Sequence, residues 1–123
     1  LHLTEASALL DQLDRFFLTY EPVPSLLHGD LWSGNIGFDR QGLPVVYDPA
    51  VYYGDRETDI AFTELFGGLG TSFYQSYHAT YPLDPGYDER RDLYNLYHIL
   101  NHYNLFGGGY GTQAKRVIQR LLR

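Results

Sequence analysis

The chain has 123 residues, enough for one domain with a modest hydrophobic core. A net charge of -6 argues against a nucleic-acid surface, which needs clustered Lys and Arg, and the absence of Cys excludes disulfides, thiolate nucleophiles and Cys-ligated zinc. No apolar run approaches the roughly twenty residues of a membrane span and no signal-peptide pattern opens the chain, so a soluble, cytoplasmic protein with no membrane partner is expected.

Thr4 to Tyr20 is predicted as a helix. Thr4 is the candidate cap, and Leu9, Leu10, Leu13, Phe16, Phe17 and Tyr20 recur at three- and four-residue spacing, leaving Asp11, Asp14 and Arg15 on a solvated face. Pro22 and Pro24 stop it and force an extended entry into the most informative stretch, Leu26 to Tyr53.

That stretch packs His28, Gly29, Asp30, Asn35 and Asp48 around a predicted hairpin. Ile36 to Phe38 and Leu43 to Tyr47 are short apolar runs, and Asp39 to Gly42 supply the polar turn between them. Antiparallel pairing of the two runs brings the ends carrying Asn35 and Asp48 side by side, so that two oxygen-bearing side chains converge where a hard cation can be held. Mg²⁺ suits the pair, since it takes one or two protein ligands and leaves its other positions to water and phosphates. Asp30, upstream on the same loop, is then placed to accept the proton of an attacking hydroxyl, a layout that matches the phosphoryl-transfer template of kinases. The competing account makes Asp30 a turn residue, Asn35 a strand-end cap and His28 a packed core side chain.

Beyond Asp48, Pro49 to Glu57 lacks periodicity and is expected to be a loop. A helix begins near Thr58 and closes at Gly67 and Gly68, with Asp59 near its start, where a carboxylate can cap. A short helix over Thr71 to Tyr81 and a long one from Asp88 to Phe106 follow, separated by Pro82, Asp84, Pro85 and Gly86. His98 and His102 share a face of the long helix, yet a third ligand for zinc is missing from the pattern. Gly107 to Gly111 lacks the preceding strand and the Gly-Lys-Ser/Thr of a phosphate loop, and reads as a flexible connector. The chain closes in a basic amphipathic helix, Thr112 to Arg123, with Val117, Ile118, Leu121 and Leu122 apolar and Lys115, Arg116, Arg120 and Arg123 facing water.

The segments "HGDLWSGNIGF" and "YDPAVYYGDRETDIAF" resemble the fructosamine-kinase (ketosamine-3-kinase) family, relatives of the aminoglycoside phosphotransferases and choline kinases within the protein-kinase-like fold. The resemblance implies an α+β, mostly α-helical fold: the C-terminal lobe of a protein-kinase-like enzyme over residues 1–123, with a small catalytic-loop β-hairpin. It implies that Asp30 is the base, that Asn35 and Asp48 hold Mg²⁺, and that Trp32 helps shape a sugar-amine pocket. It further implies that His28, Asp55 and Asp59 support the catalytic loop, which for Asp59 competes with the helix-cap reading. The implied reaction is ATP-dependent phosphorylation of the 3-hydroxyl of a ketosamine. An aminoglycoside or choline acceptor, or a non-catalytic pseudokinase that binds a partner, remains an alternative; Trp32 and the Asp-Pro-Ala at 48–50 favour the ketosamine.

A kinase also needs a Gly-rich strand pair over the phosphates, a strand Lys and a helix Glu. The sole lysine, Lys115, sits in the terminal helix. Starting at Leu1 and holding no Met, the chain reads as a processed or excised piece whose N-terminal ATP-clamping lobe is absent, and which is inactive alone.

Overall fold

A computed structural model describes residues 3–123 and divides them into two compact units. One, residues 22–84, carries the hairpin and the short helices. The other joins the start of the chain to residues 85–123 and is helical.

In the first unit, β1 (Pro24–Leu27) pairs antiparallel with β4 (Tyr52–Asp55), Leu27 lying opposite Tyr52. The expected loop over Pro49 to Glu57 therefore contains a strand, and its polar Pro- and Gly-bearing sequence hides it because its pairing partner lies far upstream. β2 (Ile36–Phe38) and β3 (Pro44–Val46) form the predicted hairpin, Ile36 facing Val46. Its turn is set by Asp39, whose Oδ1 accepts from the amides of Gln41 and Leu43 at 2.9 Å each.

Helix α2 (Arg56–Leu65) follows β4 directly. It starts two residues earlier than its apolar spacing indicates, because Asp55 is the cap: its carboxylate accepts from the Glu57 amide at 3.0 Å. Ile60, Ala61 and Phe62 of α2 and Leu27 of β1 are buried, and side chains such as these contribute about 1.5–3 kcal/mol apiece when large. Helix α3 (Thr71–Thr80) buries no residue. Arg56 ties it down, donating to the Tyr77 hydroxyl at 3.0 Å and to the carbonyls of Tyr81 and Pro82 at 3.1 and 2.6 Å.

In the second unit the predicted first helix is divided. Helix α1 (Leu3–Asp11) gives way to a tighter 3-10 turn over Leu13–Phe17, marked by Gln12 N–H bonding Leu9 C=O at 3.0 Å. Thr4 lies inside α1, and Leu10 is exposed while Leu9 and Phe16 are buried. Phe16 is the residue of this turn that reaches the core. Helix α4 (Tyr87–Phe106) packs against α5 (Gly109–Leu121) through Leu96, Ile99, Ala114, Val117, Ile118 and Leu121. The connector shrinks to Gly107 and Gly108, and Tyr110 sits in α5 with its ring 5.3 Å from His102 and 6.5 Å from Phe106. This aromatic packing offsets the poor helix propensity of Gly109 and Gly111. Lys115 is half-buried, unlike its exposed neighbour Arg116. Arg90 is buried, donating to the Phe16 carbonyl at 3.1 Å and lying 3.7 Å over the Tyr20 ring. His102 Nδ1–H donates to the His98 carbonyl at 2.7 Å. Among the described residues no helix is long and apolar enough to cross a membrane.

Candidate active site

Leu27, the buried last residue of β1, delivers His28, Gly29 and Asp30 to the loop that follows. The loop turns at Gly29, whose φ of +89° lies in the left-handed region that side chains disfavour. Here the backbone passes close to the stretch between β3 and β4, with Ala50 N–H donating to His28 C=O at 2.7 Å.

Three side chains fix this loop. Asp59, in the first turn of α2, accepts from the His28 amide at 2.8 Å through Oδ2 and from the Gly29 amide at 3.0 Å through Oδ1. It lies within α2, whose cap is Asp55. The His28 ring spans the two halves of the site: Nε2–H donates to the Tyr47 carbonyl at 2.8 Å, and Nδ1 accepts from the Asp30 amide at 3.1 Å. One imidazole thus ties the segment bearing Asp30 to the segment that leads into Asp48.

Asn35 is the third. It ends a short 3-10 turn, Ser33–Asn35, is buried, and donates through Nδ2 to the Asp30 carbonyl at 2.9 Å and to Asp30 Oδ2 at 3.2 Å. Its own carbonyl accepts from Tyr47 N–H at 3.0 Å, so the start of β2 is locked to the residue before Asp48. With Nδ2 used, Asn35 Oδ1 has no protein donor among the described residues. Asp48 is exposed, makes no side-chain hydrogen bond among them, and is the one non-glycine residue there with positive φ, at 49°. A left-handed aspartate stores strain of order 1–3 kcal/mol, a feature that clusters at ligand sites.

The oxygens left available are therefore an amide carbonyl and a carboxylate, hard donors that suit Mg²⁺. Among the described residues no group of three or more His, Cys, Asp and Glu gathers to enclose a metal. A cation held by one amide oxygen and one carboxylate would keep its other positions for water and phosphate, as Mg²⁺ commonly does.

Trp32 stands two residues after Asp30, its ring 6.0 Å from that of Phe66 in an edge-to-face pair. Phe66 and the Gly29–Ala50 crossing were not apparent from sequence. The latter had a signal, a glycine inside the His-Gly-Asp, but its reason lies in a segment some twenty residues away.

The fold is that of the C-terminal lobe of a protein-kinase-like fold, and it carries a loop-borne His-Gly-Asp, an Asn five residues after that Asp, and an Asp just past the hairpin. The model of the family described as fructosamine kinase matches residues 1–123. The chain belongs to the fructosamine kinase family. It is 59% identical over 103 residues to a Synechocystis protein named "Probable ketoamine kinase", covering 84% of this chain and 35% of that one. To the Arabidopsis thaliana protein named "Protein-ribulosamine 3-kinase, chloroplastic" it is 54% identical over 100 residues, 81% of this chain and 30% of the relative. A crystal structure named "putative fructosamine-3-kinase" from Thermobifida fusca superposes with a TM-score of 0.84 at 35% identity, covering 100% of this chain and 43% of that one. The chain thus spans well under half the length of these relatives.

The two bonds to Asp59 yield a testable expectation. Each is charge-assisted and contributes about 1.5–3 kcal/mol. Asp59→Ala is expected to lower stability by on the order of 3 kcal/mol, and Asp59→Asn, which keeps a single acceptor oxygen, by about half as much. The shift in urea midpoint measures both; equal losses from the two variants would contradict a two-amide brace.

Proposed function

We propose that this chain is the catalytic-loop lobe of a kinase that transfers the γ-phosphoryl of ATP to the 3-hydroxyl of a ketosamine, a step toward removing sugar from glycated amines. The observation that carries the proposal is the Asp30–Asn35 hydrogen bond at 3.2 Å, with Tyr47 holding Asn35 beside Asp48, which gathers base and cation ligands on one loop and one hairpin. The ketosamine is favoured over other acceptors by the relatives named as ketoamine and ribulosamine kinases.

In this mechanism Asp30 accepts the proton of the attacking hydroxyl through its carboxylate. Asn35 Nδ2 orients that carboxylate, His28 Nδ1 holds the Asp30 amide, and Asp59 holds the amides of His28 and Gly29. Asn35 Oδ1 and Asp48 are the groups that would hold Mg²⁺, which would supply charge neutralisation for the transferring phosphate. The nucleotide-clamping strands, Lys and Glu are assigned to a further N-terminal lobe of a longer protein. Phe38, Leu43, Val46, Val51 and Tyr53, on the hairpin and around β4, are exposed, and this apolar surface is the one we assign to contact that lobe. Without the clamp, whose single charged groups are worth about a thousandfold, the 123-residue chain has negligible turnover. The cytoplasm is the compartment this reading favours.

The test is ADP formation by the full-length protein with a fructosyl-amine, kanamycin or choline as acceptor. Turnover on the fructosyl-amine is expected; preference for kanamycin or choline overturns the acceptor assignment, and ADP formation by the 123-residue chain that Asp30→Asn abolishes overturns its inactivity. Mg·ATP at about a hundred times its Kd is expected to stabilise the full-length protein by about 2.7 kcal/mol, seen as a raised Tm. Asp48→Asn should remove most of that rise, and no rise at all in the unsubstituted protein points to a pseudokinase.

A further inference from the structure

We infer that Phe66 is a positioning residue that sets the pose of Trp32, and through it the acceptor pocket; the inference rests on the ketosamine-kinase reading of the site. Asp59, Phe62 and Phe66 follow one another at three- and four-residue spacing along α2 and its cap, so they line one face over two turns, about 10 Å. The loop is laid along that face. Asp59 takes the amides of His28 and Gly29 at one end, and the Phe66 ring takes the Trp32 indole at the other.

Phe66 is itself backed by Phe62, which is buried, at 5.6 Å between centroids and 86° between planes. The chain of edge-to-face rings thus runs from the core to the site. On the other side Gly34 supplies room: a Cβ there would stand 2.4 Å from Cη2 and Cζ2 of the indole. Trp32 and Phe66 nevertheless stay 37% and 40% exposed, so the corner they form is open to a ligand. Among the described residues no protein group accepts from the Trp32 Nε1–H, which leaves a fixed donor and an aromatic face beside the loop that bears Asp30. That pairing suits a hydroxylated sugar, with C–H groups for the ring and an oxygen for the donor.

The aromatic pair contributes enough to change acceptor affinity by about three- to tenfold. In the full-length protein Phe66→Leu is therefore expected to raise KM for the fructosyl-amine by that factor, with KM for ATP within about twofold of the parent. Phe66→Tyr, which keeps the ring, should restore acceptor KM, and Gly34→Ala should raise it as Phe66→Leu does. Trp32 is the sole tryptophan, so its emission and its quenching by acrylamide in the 123-residue chain report the pose directly. Greater quenching is expected in Phe66→Leu but not in Phe66→Tyr. Unchanged quenching with unchanged acceptor KM overturns the inference, as does a Phe66→Leu variant in which kcat and both KM values move together, the mark of a general structural role. Failure of the unsubstituted protein to turn over the fructosyl-amine overturns the underlying reading, and is seen before any variant is made.

Discussion

Asp30→Asn is expected to lower kcat for ketosamine phosphorylation in the full-length protein by two to four orders of magnitude, the range a positioned general base contributes. KM for ATP should change little, because Asn35 Oδ1 and Asp48 keep their places. The substitution conserves shape, and an amide at position 30 can still accept from Asn35 Nδ2, so a stability change below about 1 kcal/mol is expected. Steady-state kinetics beside a urea titration separates the two effects. A variant that retained a tenth of the parent kcat would remove Asp30 from the role of base, whatever its effect on stability.

Gly29→Ala is expected to be the most damaging single substitution to the loop itself. The left-handed backbone alone costs a residue with a Cβ about 1–2 kcal/mol. The larger cost is contact: the new Cβ would stand 1.9 Å from Ala50 O and 2.7 Å from its carbonyl carbon, atoms of a backbone that cannot swing aside as a side-chain tip does. Relief requires the Ala50 segment to retreat, breaking the 2.7 Å bond from Ala50 N–H to His28 C=O. The total is expected to exceed about 4 kcal/mol, at the far end of what point substitutions do. Gly42→Ala is the control, because its φ is +80° but no atom lies within 4 Å of the added methyl, which leaves the conformational cost alone. Similar urea midpoints for the two variants would show that the crossing at Ala50 is not tight.

The hairpin was legible in the sequence because everything that defines it is local. Two apolar runs, a polar turn closed by Asp39 and the absence of any competing helical period leave one arrangement. The long helix was legible for a similar reason, its apolar positions recurring over five turns, and its start was misplaced by one residue. Strand β4 was not legible: Tyr52 and Tyr53 sit among Pro, Gly and charged residues, and the strand exists because β1 lies alongside it. The division of the first helix was equally hidden, since Leu10, Leu13 and Phe17 satisfy a helical period whether or not the backbone tightens. At the other end, glycines that read as a connector became the first turn of α5 through the packing of Tyr110 on His102 and Phe106.

Within the site the same boundary holds. His28, Asp30 and Asn35 lie within eight residues of one another, so chain connectivity alone keeps them in reach, and their types and spacing determined the chemistry to be expected. Asp59 is some thirty residues away, and as a letter near the start of a helix it served equally well as a cap or as a brace. Only the packing of α2 on β1 brings its carboxylate to the amides of His28 and Gly29, and only the register of β1 with β4 makes Asp55 the cap instead. Contacts between neighbours in sequence follow from local geometry, whereas contacts between distant segments depend on how the apolar faces of whole elements are buried, and that is decided in three dimensions.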